Sequence, residues 1–129
     1  YGSNLFFTVW GSCLCSILIL RELVRETRNV EANDRIFDYV TTLAEATRTH
    51  PMVELGVSPR GALALCRMAK AHAFLAGRDF VVPEDVAAVF PDVCAHRLIL
   101  SAKARMMEEK AENILAEILK SVDMPVLKA

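Results

Sequence analysis

A short motif near the middle of the chain, Ser58-Pro59-Arg60, combines residue types that can hold a cation in a fixed direction. Serine is a favoured N-cap, and proline is favoured at the first helical position because no helical hydrogen bond is lost there. The motif therefore predicts a helix that begins at Pro59 and carries Arg60 in its first turn. A guanidinium held there stays charged and can bind an anion. Taken alone, such an arginine more often pairs with an acid or stays solvated.

Further basic side chains lie on both sides of this motif. Arg67 and Lys70 follow Arg60 by seven and ten residues, which places them near the same side of a helix. They either extend an anion-facing stripe or form a solvated basic face, and the solvated face is the commoner arrangement. Arg48 and His50 stand just before a proline, and we interpret them as structural residues that hold a helix end.

The thiols and imidazoles follow no recognised ligand spacing, because no two cysteines form a C-x-x-C pair. We therefore predict reduced thiols and no metal site. A zinc site assembled from Cys66, His72, Cys94 and His96 can be imagined, but it would lack the usual ligand pattern. The cysteines and the histidine outside this imagined site are Cys13, Cys15 and His50.

Composition indicates one globular domain and argues against nucleic acid as its main partner. The chain has 129 residues, of which 53% are hydrophobic and 24% charged, as in an ordinary folded domain. Its net charge of −1 argues against nucleic acid as the main partner, because phosphate backbones require an uncompensated basic surface. A helix-turn-helix DNA-binding domain is disfavoured for the same reason.

The first 16 residues form an apolar leader of uncertain origin, since no charged side chain precedes Arg21. The apolar run over 5–20 approaches the length of a membrane span but falls short of the usual window of about 17–25 residues. Three interpretations stay open: the leader packs on the helical body, is partly foreign to the native protein, or contacts a membrane. We expect a cytoplasmic protein, with membrane association as the less favoured alternative.

The rest of the chain has helical periodicity and predicts an all-α fold, a small bundle of about five helices with at most a very short extended pairing. The second helix should begin at Asn33 or Asp34 and bury Phe37 in its apolar stripe. Gly77 should end the third helix in a left-handed conformation. We expect 91–100 to be a short, partly irregular stretch and one final helix to follow, with Met107 in its apolar seam.

Five phrases in order resemble the C-terminal helical lid domain of MoxR-type AAA+ ATPases. "GVSPRGALAL" is similar to that family's second-sensor motif at the start of a lid helix. The others are "RELVRET", "TLAEATRTHP", "GRDFVVPEDVAAVFPDVCAHRLIL" and "ILAEILKSVDMP". The resemblance covers 17–125, leaving the leader and a tail over 126–129 outside it. Two positions depart from the family pattern: Gly61 stands where alanine is frequent and should loosen the first turn, and Val82 replaces a capping hydroxyl.

The resemblance implies a role for these residues in ATP binding. Arg60 would sense the γ-phosphate of ATP held by a separate core domain, with Ser58, Pro59 and Arg67 as further cofactor-binding positions. Arg48 and His50 could also reach the nucleotide. ATP and Mg²⁺ would be bound by the full-length parent, because the chain has no G-x-x-x-x-G-K-[ST] loop and should not hydrolyse ATP alone.

The partners implied by the resemblance are the chain's own AAA+ core, neighbouring subunits of a ring, and client proteins, including ones with von Willebrand A-type domains. The parent would then act as a chaperone-like machine for protein maturation. The alternative function is a helical protein-interaction or membrane-tethered adaptor module with no role in nucleotide binding.

Overall fold

The computed structural model describes residues 16–126, so that all but the last residue of the leader and the final three residues of the chain lie outside the described residues. Within this range the fold is a helical bundle with one short antiparallel pairing of two strands, which confirms the predicted all-α class. A helix over 16–28 is α1. The other helices are α2 (Asp34–Thr49), α3 (Pro59–Leu75), α4 (Pro83–Cys94), α5 (Ala102–Met106) and α6 (Ala111–Ser121), and the strands are β1 (Val53–Leu55) and β2 (Ile99–Leu100). None of the helices within 16–126 is long and apolar enough to cross a membrane.

Side-chain caps fix the starts of several helices, as the sequence predicts. Asn33 caps α2 by accepting a hydrogen bond from the backbone N–H of Arg35 at 3.1 Å. At the end of α3, Gly77 has a φ of 81°, and its N–H donates to the carbonyl of Phe74 at 3.0 Å. This left-handed C-cap is the one predicted from Gly77.

The hydrophobic core lies where α2, α3, α4 and α6 meet. Alanines on α3 allow close approach, because Ala69 and Ala73 are fully buried against neighbouring helices. The prediction that Phe37 belongs to the core is wrong. Its side chain is 41% exposed and lines a groove between α1 and α3, while Tyr39 takes a buried position instead. The buried face of α2 is therefore rotated slightly from the predicted stripe.

The stretch over 91–100, predicted to be partly irregular, is more regular than expected. Helix α4 continues through Pro91 to Cys94, a 3-10 turn follows at Ala95–Arg97, and β2 comes next. Proline removes one backbone donor inside a helix. Continuation is favoured here because Val93 and Cys94 extend the buried face that Phe90 begins.

The final segment forms two helices instead of the single helix predicted. A reversal after α5 places Glu108 at a φ of 55°, and the N–H of Glu109 donates to the carbonyl of Ala104 at 2.9 Å. Met107 is therefore exposed and does not join the seam of α6, which consists of Ile114, Leu115 and Ile118. A left-handed position occupied by glutamate gives no sequence signal comparable to glycine.

A buried carboxylate joins the end of α3 to the start of α4. Asp85 is only 1% exposed, and both of its oxygens lie 2.7 Å from the guanidinium nitrogens of Arg78. One oxygen lies 2.7 Å from Nδ1 of His72, and the other accepts the backbone N–H of Val82 at 2.9 Å. The side chain of Asp85 thus satisfies the helix start that Val82, without a polar side chain, cannot cap.

The pKa of Asp85 reflects two opposing effects. Burial alone raises the pKa of this carboxyl. Hydrogen bonds from Arg78, Val82 and His72, together with the charge of Arg78, lower the pKa by a larger amount, so the net shift is downward. A carboxylate whose pKa is lower in the folded state stabilises the fold above its unfolded pKa of about 3.9. That stabilisation is lost as the pH falls through the lowered pKa.

We predict that Asp85→Asn lowers the free energy of unfolding by about 3 kcal/mol at pH 7, because Arg78 loses its paired charge inside the fold. Urea denaturation monitored by circular dichroism measures this change. The variant should also show a flatter loss of stability between about pH 5 and 2 than the wild-type chain. An unchanged midpoint at pH 7 would contradict the structural role given to Asp85.

Candidate functional site

The start of α3 presents Arg60 to solvent. Ser58 is the N-cap, and its hydroxyl accepts the N–H of Gly61 at 3.2 Å, while Pro59 occupies the first helical position. Arg60 follows in the first turn and is exposed. Within residues 16–126 its guanidinium has no hydrogen bond or ion pair, so its charge is available to an external anion.

The loop before this helix is fixed by two consecutive residues at the end of α2. The backbone N–H of Val57 donates to the hydroxyl of Thr47 at 3.0 Å, and Nε of Arg48 donates to the carbonyl of Val57 at 3.0 Å. Thr47 is completely buried. Both polar groups of Val57 are therefore held by α2, which determines where α3 begins.

Gly56 allows this loop to lie directly on α2. A Cβ at Gly56 would be 2.7 Å from the backbone nitrogen and Cα of Arg48, closer than carbon atoms can pack. The glycine is required by this close approach to the helix backbone.

Gly61, which is expected to loosen the first turn, also lies at a close packing contact. A Cβ at Gly61 would lie 2.6 Å from Cγ1 of Val57, a buried side chain with little rotamer freedom. The glycine thus allows the first turn of α3 to pack closely on the loop that precedes it.

His50 has the structural role predicted for it. Its Nδ1 accepts the backbone N–H of Met52 at 3.1 Å, and its Nε2 lies 3.5 Å from the carboxylate of Glu117 on α6. Together with the bond from Arg48 to Val57, these contacts attach the end of α2 to the residues around it. Through these contacts the side chains of Arg48 and His50 support the segment that leads into α3.

Arg67 lies apart from the other predicted cofactor-binding positions, Ser58, Pro59 and Arg60. It lies about 10 Å further along α3 than Arg60, since each helical residue adds about 1.5 Å. There it lines the groove between α1 and α3, beside Val24 and Phe37. The structure therefore brings Ser58, Pro59 and Arg60 together and leaves Arg67 two turns away.

The electrostatic character of the α3 start is cationic. Helices α2, α4 and α6 carry an acidic side chain in the first turn, where it is favoured by the helix dipole. Helix α3 has none and carries Arg60 there instead. A cation at the positive end of a helix is locally unfavourable, and a bound anion would relieve it.

The cysteines within the described range are reduced and separate. Cys66 and Cys94 are free thiols, and burial raises the pKa of Cys94 to about 11, so it stays protonated and unreactive at neutral pH. No group of three or more histidine, cysteine or acidic side chains within 16–126 could hold a metal ion. His72, one residue of the imagined zinc set, contacts Asp85 instead.

Sequence reasoning missed the residues that support the site. The motifs do not single out Thr47 or Asp85, and Gly56 enters only as the first residue of the phrase that contains Arg60. Nothing in the sequence indicates the bond between Asp85 and Arg78. The cue available for Thr47 was a hydroxyl within an otherwise apolar stripe, since a buried hydroxyl needs a hydrogen-bond partner.

Comparison with known proteins assigns this arrangement to a class. The sequence profile of the AAA lid domain family matches residues 45–118, more than half of the chain, and the chain belongs to that family. The match contains the end of α2, the fixed loop and all of α3, which together form the site.

The relatives narrow the class to the MoxR type. The chain is 35% identical to the chaperone MoxR1 of Mycobacterium tuberculosis over 103 residues, covering 73% of this chain and 27% of that protein. It is 42% identical to the MoxR protein of Methylorubrum extorquens over 71 residues, covering 55% of this chain and 20% of that protein. The chain is therefore the lid of a MoxR-type AAA+ ATPase.

Two further matches extend over more of the chain. The Bacillus subtilis protein YeaC is 42% identical over 107 residues, which is 83% of this chain and 33% of that protein. A crystal structure of a proposed ATPase from Cytophaga hutchinsonii superposes with a TM-score of 0.74 at 31% identity, covering 79% of this chain and 34% of the other. The chain spans about a third or less of the length of these relatives.

We predict that Gly56→Ala destabilises the fold by roughly 2 kcal/mol or more, because the new methyl group would meet the backbone of α2. Gly77→Ala is the matched comparison, since a Cβ there meets nothing within 4 Å and suffers only from the positive φ. It should cost about 1 kcal/mol. Thermal unfolding of both variants tests the ranking, and a larger loss for Gly77→Ala would contradict it.

We predict that Thr47→Val lowers the free energy of unfolding by about 1–3 kcal/mol, because the N–H of Val57 loses its acceptor in a buried position. Thr47→Ser keeps the hydroxyl and should retain most of the stability. Hydrogen exchange of the Val57 amide is the direct measurement. Equal protection of this amide in the valine variant and in the wild type would contradict the role given to the Thr47 hydroxyl as its hydrogen-bond acceptor.

Proposed function

We propose that Arg60 is the second-sensor arginine of this lid and binds the γ-phosphate of ATP held on the core domain of the parent protein. The observation that carries the proposal is an exposed guanidinium, unpaired within residues 16–126, in the first turn of a long helix whose start is fixed by α2. Membership of the AAA lid domain family supplies the context of an ATPase.

The side chains present suit phosphate and do not suit a metal ion. Ser58 uses its hydroxyl as a cap, Pro59 fixes the first turn, and Arg60 supplies the charge. Helix α3 has no carboxylate in its first turn, so Mg²⁺ would be held by the core domain and not by this lid. ATP and Mg²⁺ are thus cofactors of the parent in this proposal.

Arg60 would couple the nucleotide to lid position through a charge-assisted contact. One hydrogen bond to a charged group contributes about 1.5–3 kcal/mol. That amount can shift a conformational equilibrium by about one to two powers of ten without being the sole source of affinity. Because α2 fixes the start of α3, movement of Arg60 towards a phosphate requires movement of the lid as a whole.

The proposed partners follow from the same role. The lid would contact its own AAA+ core and neighbouring subunits of a ring, and the parent would be a cytoplasmic chaperone-like machine acting on client proteins, including von Willebrand A-type domains. The relative named chaperone MoxR1 supports the chaperone assignment. A polyanionic nucleic acid partner remains disfavoured by the net charge of −1.

A second candidate function rests on the groove between α1 and α3. Apolar side chains of α1, including Leu20 and Val24, stay exposed, and Leu63 and Met68 continue this surface on α3. Exposed apolar patches of this kind mark protein-interaction surfaces. A helical interaction module with no nucleotide role would use this groove and would not need Arg60.

We predict that Arg60→Ala in the full-length parent lowers ATP turnover by about ten- to a hundredfold, as expected for the loss of one contact to a charged phosphate. Thermal unfolding should stay within about 2 °C of the wild type, because Arg60 makes no contact that stabilises the lid. Steady-state ATPase kinetics and calorimetry provide the two measurements.

Two variants separate this role from general charge loss. Arg60→Lys keeps the charge but not the planar guanidinium, so it should recover only part of the turnover. Arg67→Ala removes an equal charge two turns away and should leave turnover within about twofold. Wild-type turnover in Arg60→Ala would refute the sensor role and leave the interaction module as the surviving candidate.

A further inference from the structure

We propose that Arg97 is a second phosphate-binding residue of the same site. This inference rests on the proposed function of Arg60, and it assigns a role to a side chain that the motif around α3 does not include. Arg97 is 37 positions further along the chain, at the end of the 3-10 turn after α4.

The packing of Gly61 brings Arg97 to the start of α3. Cδ of Arg97 lies 3.3 Å from the position that a Cβ on Gly61 would occupy. The aliphatic part of Arg97 therefore lies close to the first turn of α3, at Gly61, the residue that follows Arg60. Glycine at this position allows the close approach, since any larger residue would press against Arg97 and against Val57 on the other side.

The charges at this helix start are uncompensated within the described part of the chain. Arg97 and Arg60 are both exposed, and neither has a hydrogen bond or ion pair within 16–126. Arg48 donates only to the carbonyl of Val57, which is neutral. Three arginines thus lie near the start of α3, whose first turn contains no acid: Arg48 through its bond to Val57, Arg60 in the turn itself, and Arg97 through the contact of its Cδ with Gly61.

A multivalent anion suits such a grouping of cations. The helix dipole adds to the positive potential at this end of α3. A triphosphate offers several oxygens and more than one negative charge, so it can bind two arginines at once. A single carboxylate from the core domain would neutralise only one of them. The arrangement therefore favours the phosphate chain of a nucleotide as the ligand of Arg97.

The test measures the Kd of the full-length parent for a non-hydrolysable ATP analogue. Arg97→Met keeps an unbranched apolar side chain over Gly61 but removes the charge, which separates phosphate binding from packing. The Kd should rise about tenfold or more, as for the loss of one hydrogen bond to a charged group. Arg97→Lys should recover part of the affinity. Arg105→Met is the control for loss of a surface charge, because Arg105 is exposed and its guanidinium lies 3.7 Å from the carboxylate of Glu54.

The outcomes separate this inference from the proposed function. If Arg60→Ala lowers turnover while Arg97→Met leaves the Kd within about twofold, the role of Arg97 is refuted and the sensor role stands. If Arg97→Met binds like the wild type and only Arg97→Ala loses affinity, Arg97 acts by packing and the inference is wrong. If neither position affects turnover or Kd, both proposals fall together. A raised Kd for Arg97→Met with an unchanged control supports the inference.

Discussion

The carboxylate of Asp85 is the interaction on which the relative placement of α3 and α4 depends. It is buried, yet each of its oxygens has two partners, contributed by the end of α3, the loop after it and the start of α4. A buried charge is tolerated only when it is paired and hydrogen-bonded in this way. Because the loop must bring Arg78 and Val82 to the same side chain, few orientations of the two helices satisfy Asp85 at once.

Helix α3 is consequently held at both ends by contacts of different kinds. Its C-terminal end is fixed by charge and by the left-handed turn at Gly77, whereas its start is fixed by the bonds from α2 to Val57. Between them, the alanine-rich face packs closely on the core. Arg60 extends from a helix that is held at both ends, so the position of its backbone is set by the packing of the domain.

The sequence predicted the elements whose signals are local. Ser58 with Pro59 located the start of α3, Asn33 that of α2, and Gly77 the end of α3, because capping chemistry depends on a few neighbouring residues. Local rules failed where distant packing decided the outcome. Helix α4 passes through Pro91 because Val93 and Cys94 are buried, and the chain reverses at Glu108 without a glycine.

The candidate site shows the same division between local and distant information. Its central residues could be identified from one motif and its resemblance to a family. The supporting contacts could not, since Thr47 meets Val57 across ten positions and Arg97 meets Gly61 across a far longer separation. No periodicity or capping rule connects such pairs, which come together only when the helices pack.

The exposed apolar face of α1 has a consequence for the isolated chain in solution. Leu18, Ile19 and Leu20 are each at least 60% exposed, and Val24 on the same helix lines the groove that Phe37 and Leu63 continue. Water is a poor solvent for such a surface. This face will therefore govern the colloidal behaviour of the separated lid, including its tendency to self-associate and to take up detergent. The charged start of α3, by contrast, stays hydrated.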